Sequence, residues 1–112
     1  MRFLLPISVI IFVFISCSKE PEYIEYIYEV SGTGGSYDVT LQNSDDNTSQ
    51  YSNVGNGWWY KWKQTGTRWL YFSAQNNNSS GTVIVKIYKS GKVIATNTSD
   101  GGYVIATVSG NY

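Results

Sequence analysis

Cys17 is the chain's one cysteine, and its 112 residues include no histidine. Two common chemical devices are therefore closed. No intrachain disulfide can form, and the side chain that most often serves as general base or metal ligand is missing. Eight carboxylates remain, but their positions pair them poorly. Glu20, Glu22, Glu25 and Glu29 fall in an N-terminal charged stretch and the segment after it, Asp38 points out of a short alternating segment, and Asp45, Asp46 and Asp100 lie in turn-rich stretches. The run "NSDDN" (43–47) offers oxygens to calcium, yet Asx side chains bonding their own backbone in a turn explain it better. "GTGG" (32–35) has no helix behind it to cradle a phosphate. A small enzyme needs a nucleophile beside a base, a metal cluster or paired carboxylates. The chain reads as a non-enzymatic protein with no cofactor and no metal.

Its aromatic residues carry a different chemistry. Ten Tyr and four Trp are present, and "GWWYKWKQTGTRWLYFSAQ" (57–75) concentrates them. Leu70, Phe72 and Ala74 form the apolar face of one strand. Lys61 and Lys63 on the preceding strand want water, which sends Trp58, Tyr60 and Trp62 inward. A hairpin closed by Thr65-Gly66-Thr67 would pair Trp62 with Leu70 and Tyr60 with Phe72, with Gly66 or a bulge supplying the positive φ. Its outer face would present Trp59, Lys61, Lys63, Trp69 and Tyr71 together. On one reading the lysine stems cover the rings and the cations stack on them, worth about 0.5–1 kcal/mol per exposed pair. On the other, the rings are a flat platform for a sugar ring or a partner surface, since exposed aromatic patches mark binding sites.

The elements that must position these residues are short strands. Turn signals recur at "SGTGGS", "QNSDDNTS", "NVGNG", "QTGT", "QNNNSSG", "KSGK" and "SDGG", the spacing of an all-β sandwich or barrel. Strands are expected near 22–31, 35–42, 58–63, 68–75, 82–89, 92–98 and 102–109, with a weak one near 49–54. Alternation sends Ile24, Tyr26, Tyr28 and Val30 inward, then Tyr37, Val39 and Leu41, then Val83, Val85 and Ile87, and finally Val104, Ala106 and Val108. Ser90-Gly91 reads as a two-residue hairpin turn. The fold class is all-β: an immunoglobulin-like antiparallel sandwich of about seven strands, occupying residues 23–112. In order, "YEVSG" (28–32), "GWWYKW" (57–62), "LYFSAQN" (70–76) and "VIVKIYKSGKVIATNTSDGGYVIATVSG" (83–110) resemble the MmpS-like domain, a small β-sandwich of mycobacterial membrane proteins. That resemblance implies the sandwich and, less directly, an accessory part in lipid or siderophore export. Those relatives have a transmembrane N-terminus and often a cysteine pair, which this sequence does not match.

The N-terminus carries the clearest signal. Arg2 is followed by "FLLPISVIIFVFIS", an uncharged run too short for a membrane span of about 20 residues but suited to a secretory signal. Small Ser16 precedes Cys17. The pattern resembles a bacterial lipobox, which implies a signal peptide over 1–16, acylation of Cys17 and a tether over 17–22. "SKEPE" (18–22) resembles the surface-export signal of Bacteroidota-type lipoproteins. Each buried methylene contributes about 0.8 kcal/mol and stable anchoring takes more than one chain, which a diacylated cysteine supplies. Basic and acidic side chains balance at eight each, so nothing points to nucleic acid. The expected partners are a membrane, through the lipid, and a protein or glycan ligand. The resulting expectation is an outer-membrane, surface-exposed lipoprotein acting as a binding module. The alternative is an exporter accessory subunit, as the MmpS-like resemblance implies.

Overall fold

A computed structural model describes residues 21–112, so the signal segment, Cys17 and most of the tether lie outside the described residues. Eight strands follow in order: β1 (Ile24–Ser31), β2 (Tyr37–Gln42), β3 (Thr48–Val54), β4 (Trp59–Gln64), β5 (Trp69–Asn76), β6 (Thr82–Lys89), β7 (Lys92–Asp100) and β8 (Ile105–Asn111). They form two four-stranded antiparallel sheets, ordered β4-β1-β6-β7 and β3-β2-β5-β8. The antiparallel β-sandwich is thus found, with eight strands rather than about seven. β3 is the weakly patterned one: an edge strand that buries only Val54, its sequence "TSQYSNV" has little need of apolar alternation.

Alternation places the core where the inner faces meet. Tyr26, Tyr28 and Val30 from β1 lie fully buried with Val83, Val85 and Ile87 from β6. Across from them lie Tyr37, Val39 and Leu41 of β2, Leu70, Phe72 and Ala74 of β5, and Ala106 and Val108 of β8. Buried phenols must find acceptors. Tyr26 donates to the Tyr112 carbonyl and Tyr28 to the Gln42 carbonyl, each at 2.9 Å. Burial pushes the Tyr28 phenol well above its ordinary range. The buried amide of Asn76 serves the loops at the Ser31 end. It donates to the carbonyls of Ser80 and Gly101 at 2.9 and 3.0 Å and accepts from Asn78 N at 3.0 Å.

Turn chemistry agrees with the sequence at two places. Ser90 and Gly91 both have positive φ (51° and 84°), as a type I′ hairpin requires. In the β2–β3 loop, Asn43 Oδ1 accepts from Asp45 N (2.9 Å) and Asn47 N (3.0 Å), the Asx geometry expected of "NSDDN". The two sides of the sandwich are closed differently. Between β7 and β8, Asn97 Nδ2 donates to Thr107 O (3.0 Å) and Ser99 Oγ to Ile105 O (2.8 Å). Between β3 and β4, Tyr51 packs on Trp58 with ring centroids 5.1 Å apart.

The expected β4–β5 hairpin is not formed. β4 pairs with β1, setting Trp62 opposite Tyr26 and Tyr60 opposite Tyr28. β5 pairs with β2 and β8, setting Phe72 opposite Leu41 and Val108. The connection between them crosses from one sheet to the other, with Gly66 at φ 75°. Burial alone cannot separate a hairpin from such an arch, because both turn Trp62, Leu70 and Phe72 inward. Local contacts decide it. Trp62 stacks on Tyr26 (5.3 Å, 18°), its Nε1 donates to Gln64 Oε1 at 2.7 Å, and the Arg68 guanidinium lies 5.7 Å from the Trp62 ring. Arg68 also donates to the carbonyls of Asn43 and Ser44 in the opposite sheet's β2–β3 loop, pinning the arch to both layers.

Candidate functional site

The outer face of the β4-β1-β6-β7 sheet is built from residues that alternation turns away from the core. Register brings them together in rungs. Lys63 of β4 stands opposite Glu25 of β1; Lys61 opposite Ile27, which itself faces Tyr88 of β6; and Trp59 opposite Glu29, which faces Lys86. Cross-strand pairs of opposite charge favour such neighbours. Ile27, Glu29, Trp59, Lys61 and Tyr88 line a depression of ≈ 330 Å³ on this face.

Each polar group in it is held. The Tyr88 hydroxyl donates to Glu29 Oε1 at 2.8 Å. That bond to the carboxylate, with burial as the next cause, raises the Tyr88 phenol above its ordinary value and keeps it a proton donor. Lys61 Nζ lies 5.3 Å from the Trp59 ring centroid and 3.9 Å from Glu25 Oε2. Contacts this exposed contribute little to stability; they bring the cation beside the indole and the Glu25 carboxylate. The Trp59 indole is 56% exposed and also walls a second depression of ≈ 340 Å³, formed with Gly55, Asn56, Gly57 and Trp58. The 55–57 loop is anchored to β1: Gly57 N donates to Val30 O (2.8 Å), and Asn56 Oδ1 accepts from Gly32 N (2.8 Å). A Cβ on Gly55 or Gly57 would meet nothing within 4 Å, so the loop itself faces open space.

The five residues expected to share one platform are divided between the two sheets. Trp59, Lys61 and Lys63 project from β4, while Trp69 and Tyr71 project from β5 on the opposite outer face of the sandwich. The cause is the arch between β4 and β5. Trp69, 49% exposed, stands opposite Asn111, and Tyr71 opposite Ser109, among polar neighbours such as Ser73 and Thr107. Lys63 lies outside the depression beside Trp59. Ile27, Glu29, Tyr88 and Asn56 escaped the sequence reading as site residues. A signal for one of them existed: Glu29, like Glu25, alternates outward on β1 and seeks cationic neighbours, which β4 and β6 supply.

Among the described residues, no group of three or more His, Cys, Asp or Glu side chains is placed to hold a metal. No protein-family model matches the chain, and no curated protein matches it.

Proposed function

We propose that this protein is a non-enzymatic lipoprotein, anchored in the outer membrane through Cys17, whose sandwich is a ligand-binding module facing the cell's surroundings. The observation that supports this reading is the depression beside Trp59. It combines a solvent-exposed indole, a hydrogen-bonded carboxylate and a neighbouring cation on one sheet face, the mixed lining typical of binding sites.

The position of the depression fits the anchor. The chain enters the sandwich at Ile24, and antiparallel pairing puts Trp59 opposite Glu29, about 17 Å further along β1 at the usual rise per residue. A tether over 17–22 reaches at most about 20 Å from the headgroups. A domain standing on that tether with β1 leading away from the membrane would hold Trp59 in its outer half, open to a ligand arriving from outside.

Two measurements test this reading. Labelled palmitate should enter the wild type and not Cys17→Ser, and equal labelling would remove the anchor. Protease added to intact cells should degrade the protein if it faces outward; full protection would place it on the inner side. The MmpS-like segments support the second reading, an accessory subunit of an envelope exporter. Co-purification of a transporter with the full-length protein, dependent on the sandwich and not on Trp59, would favour it.

A further inference from the structure

We infer that the ligand is a neutral glycan, bound across Trp59 with consecutive sugars in the two depressions that it borders. The inference rests on the binding-module reading and adds the ligand's chemical class.

Three observations carry it. The first is the wall. Trp59 is exposed over half its surface and borders two open depressions of similar size (≈ 330 and ≈ 340 Å³), with Lys61 Nζ over one side of its ring. A pyranose presents an apolar C–H face to such a ring and hydroxyls around its rim, so one sugar can stack on the indole where Lys61 does not cover it and its neighbour can lie in the adjoining depression. The second is the hydrogen-bonding set. Glu29 Oε1 is bound by Tyr88, while Oε2 has no donor among the described residues. A carboxylate oriented in this way accepts from ligand hydroxyls, and hydrogen bonds to a charged group are the stronger kind. Lys61 supplies donors on the same side, and in the other depression the Asn56 amide nitrogen is left free when its Oδ1 accepts from Gly32 N.

The third is charge. Glu25, Glu29, Lys61, Lys63 and Lys86 interleave across the three strands, so the face has no dominant sign. An anionic ligand meets Glu29, and a cationic one finds the indole already beside Lys61. A peptide adding as a strand would need the edge of β4 rather than its face, and edge lysines oppose that pairing. A neutral ligand rich in groups that both donate and accept is the class that fits all of these features.

The test uses the detergent-solubilised full-length protein in affinity gel electrophoresis. The gels contain soluble neutral polysaccharides: galactomannan, xyloglucan, mixed-linkage β-glucan, arabinoxylan, dextran and yeast mannan. At least one should retard the wild type. Trp59→Ala and Glu29→Gln should each weaken that retardation at least tenfold, with thermal melts unchanged. Trp69→Ala, on the opposite face, should bind as the wild type does. Retardation that survives Trp59→Ala and Glu29→Gln would overturn the inference. If no neutral gel retards the protein but a random-peptide library yields binders that depend on Trp59, the glycan class is wrong and the binding module stands. If neither probe engages the face, both readings fall together.

Discussion

Tyr28 and Phe72 stack across the sandwich, their ring centroids 5.0 Å apart and their planes within 11° of parallel. Tyr28 belongs to β1 in one sheet and Phe72 to β5 in the other, and both are fully buried. Trp58 also lies nearly parallel to Phe72, at 6.5 Å between centroids and 24° between planes. The pair is therefore a joint between layers. Phe72→Ala should cost about 3–5 kcal/mol, because the neighbours are held by their own strands and cannot collapse into the cavity. In a small domain with about 5–15 kcal/mol of total stability, urea unfolding should shift to markedly lower denaturant. An unchanged midpoint would remove Phe72 from the joint.

The β6–β7 hairpin has room for improvement. Ser90 occupies φ 51°, a left-handed conformation that costs a non-glycine L-residue roughly 1–2 kcal/mol and that Asn tolerates better. Asn-Gly is the favoured type I′ pair. Ser90→Asn should therefore stabilise the domain by several tenths of a kcal/mol, up to about 1, without disturbing the backbone bond from Ser90 N to Glu25 O. A melt at or below that of the wild type would show that the serine side chain contributes something the turn geometry does not reveal.

The contrast between that turn and the β4–β5 connection shows what could be read from sequence. Ser90-Gly91 lies directly between two β-rich segments, and a two-residue loop leaves a single answer. Thr65 to Arg68 lies between two equally clear strands, yet the side-chain pattern is the same for a hairpin and for an arch. The deciding interactions are long-range: Trp62 on Tyr26, and Arg68 on the carbonyls of Asn43 and Ser44. Nothing within residues 57–75 encodes them. Inward and outward faces were therefore legible for almost every strand, while strand neighbours were not. The site inherited that gap. Trp59 and Lys61 were found because alternation exposes them. Glu29 and Tyr88 were missed because only the pairing of β1 with β4 and β6 brings them to Trp59.

Acid should probe the loops at the far end of the sandwich. Asp38 Oδ1 accepts from Asn77 Nδ2 (2.8 Å) and Asn53 N (2.9 Å). The Asn77 bond first, and then the Asn53 bond, hold its pKa below the ordinary carboxylate value. A depressed folded pKa contributes stability that is present above the unfolded value of about 3.9 and lost as pH falls through the folded value. Asp38→Asn should flatten the decline of the melting temperature below about pH 4, where the wild type still keeps its carboxylate charged. Parallel acid profiles for the two proteins would mean that this carboxylate does not govern the acid limb. Because Asp38 is exposed, the effect should also shrink in high salt.

Alkali should probe the candidate site itself. Tyr88 donates to Glu29 Oε1, and a phenol bonded to a carboxylate resists ionising because two negative oxygens would then face each other. The raised Tyr88 pKa has this bond as its largest cause, with burial second and the Glu29 charge third. The phenol is neutral when protonated, so a folded pKa above the unfolded value of about 10 gives stability that is complete below pH 10 and lost as pH rises through the folded value. Glu29→Gln removes the carboxylate while keeping an oxygen to accept the hydroxyl. In this variant one tyrosine should ionise at lower pH, seen as earlier growth of phenolate absorbance near 295 nm. Its melting temperature should also fall less steeply between about pH 10 and 12. Tyr26 and Tyr28, whose phenols burial raises as well, titrate alike in both proteins and cancel in the comparison. Superimposable absorbance curves would mean that Tyr88 and Glu29 are not bonded in solution. The carboxylate beside Trp59 would then be free to rotate, and its oriented acceptor would be lost from the site.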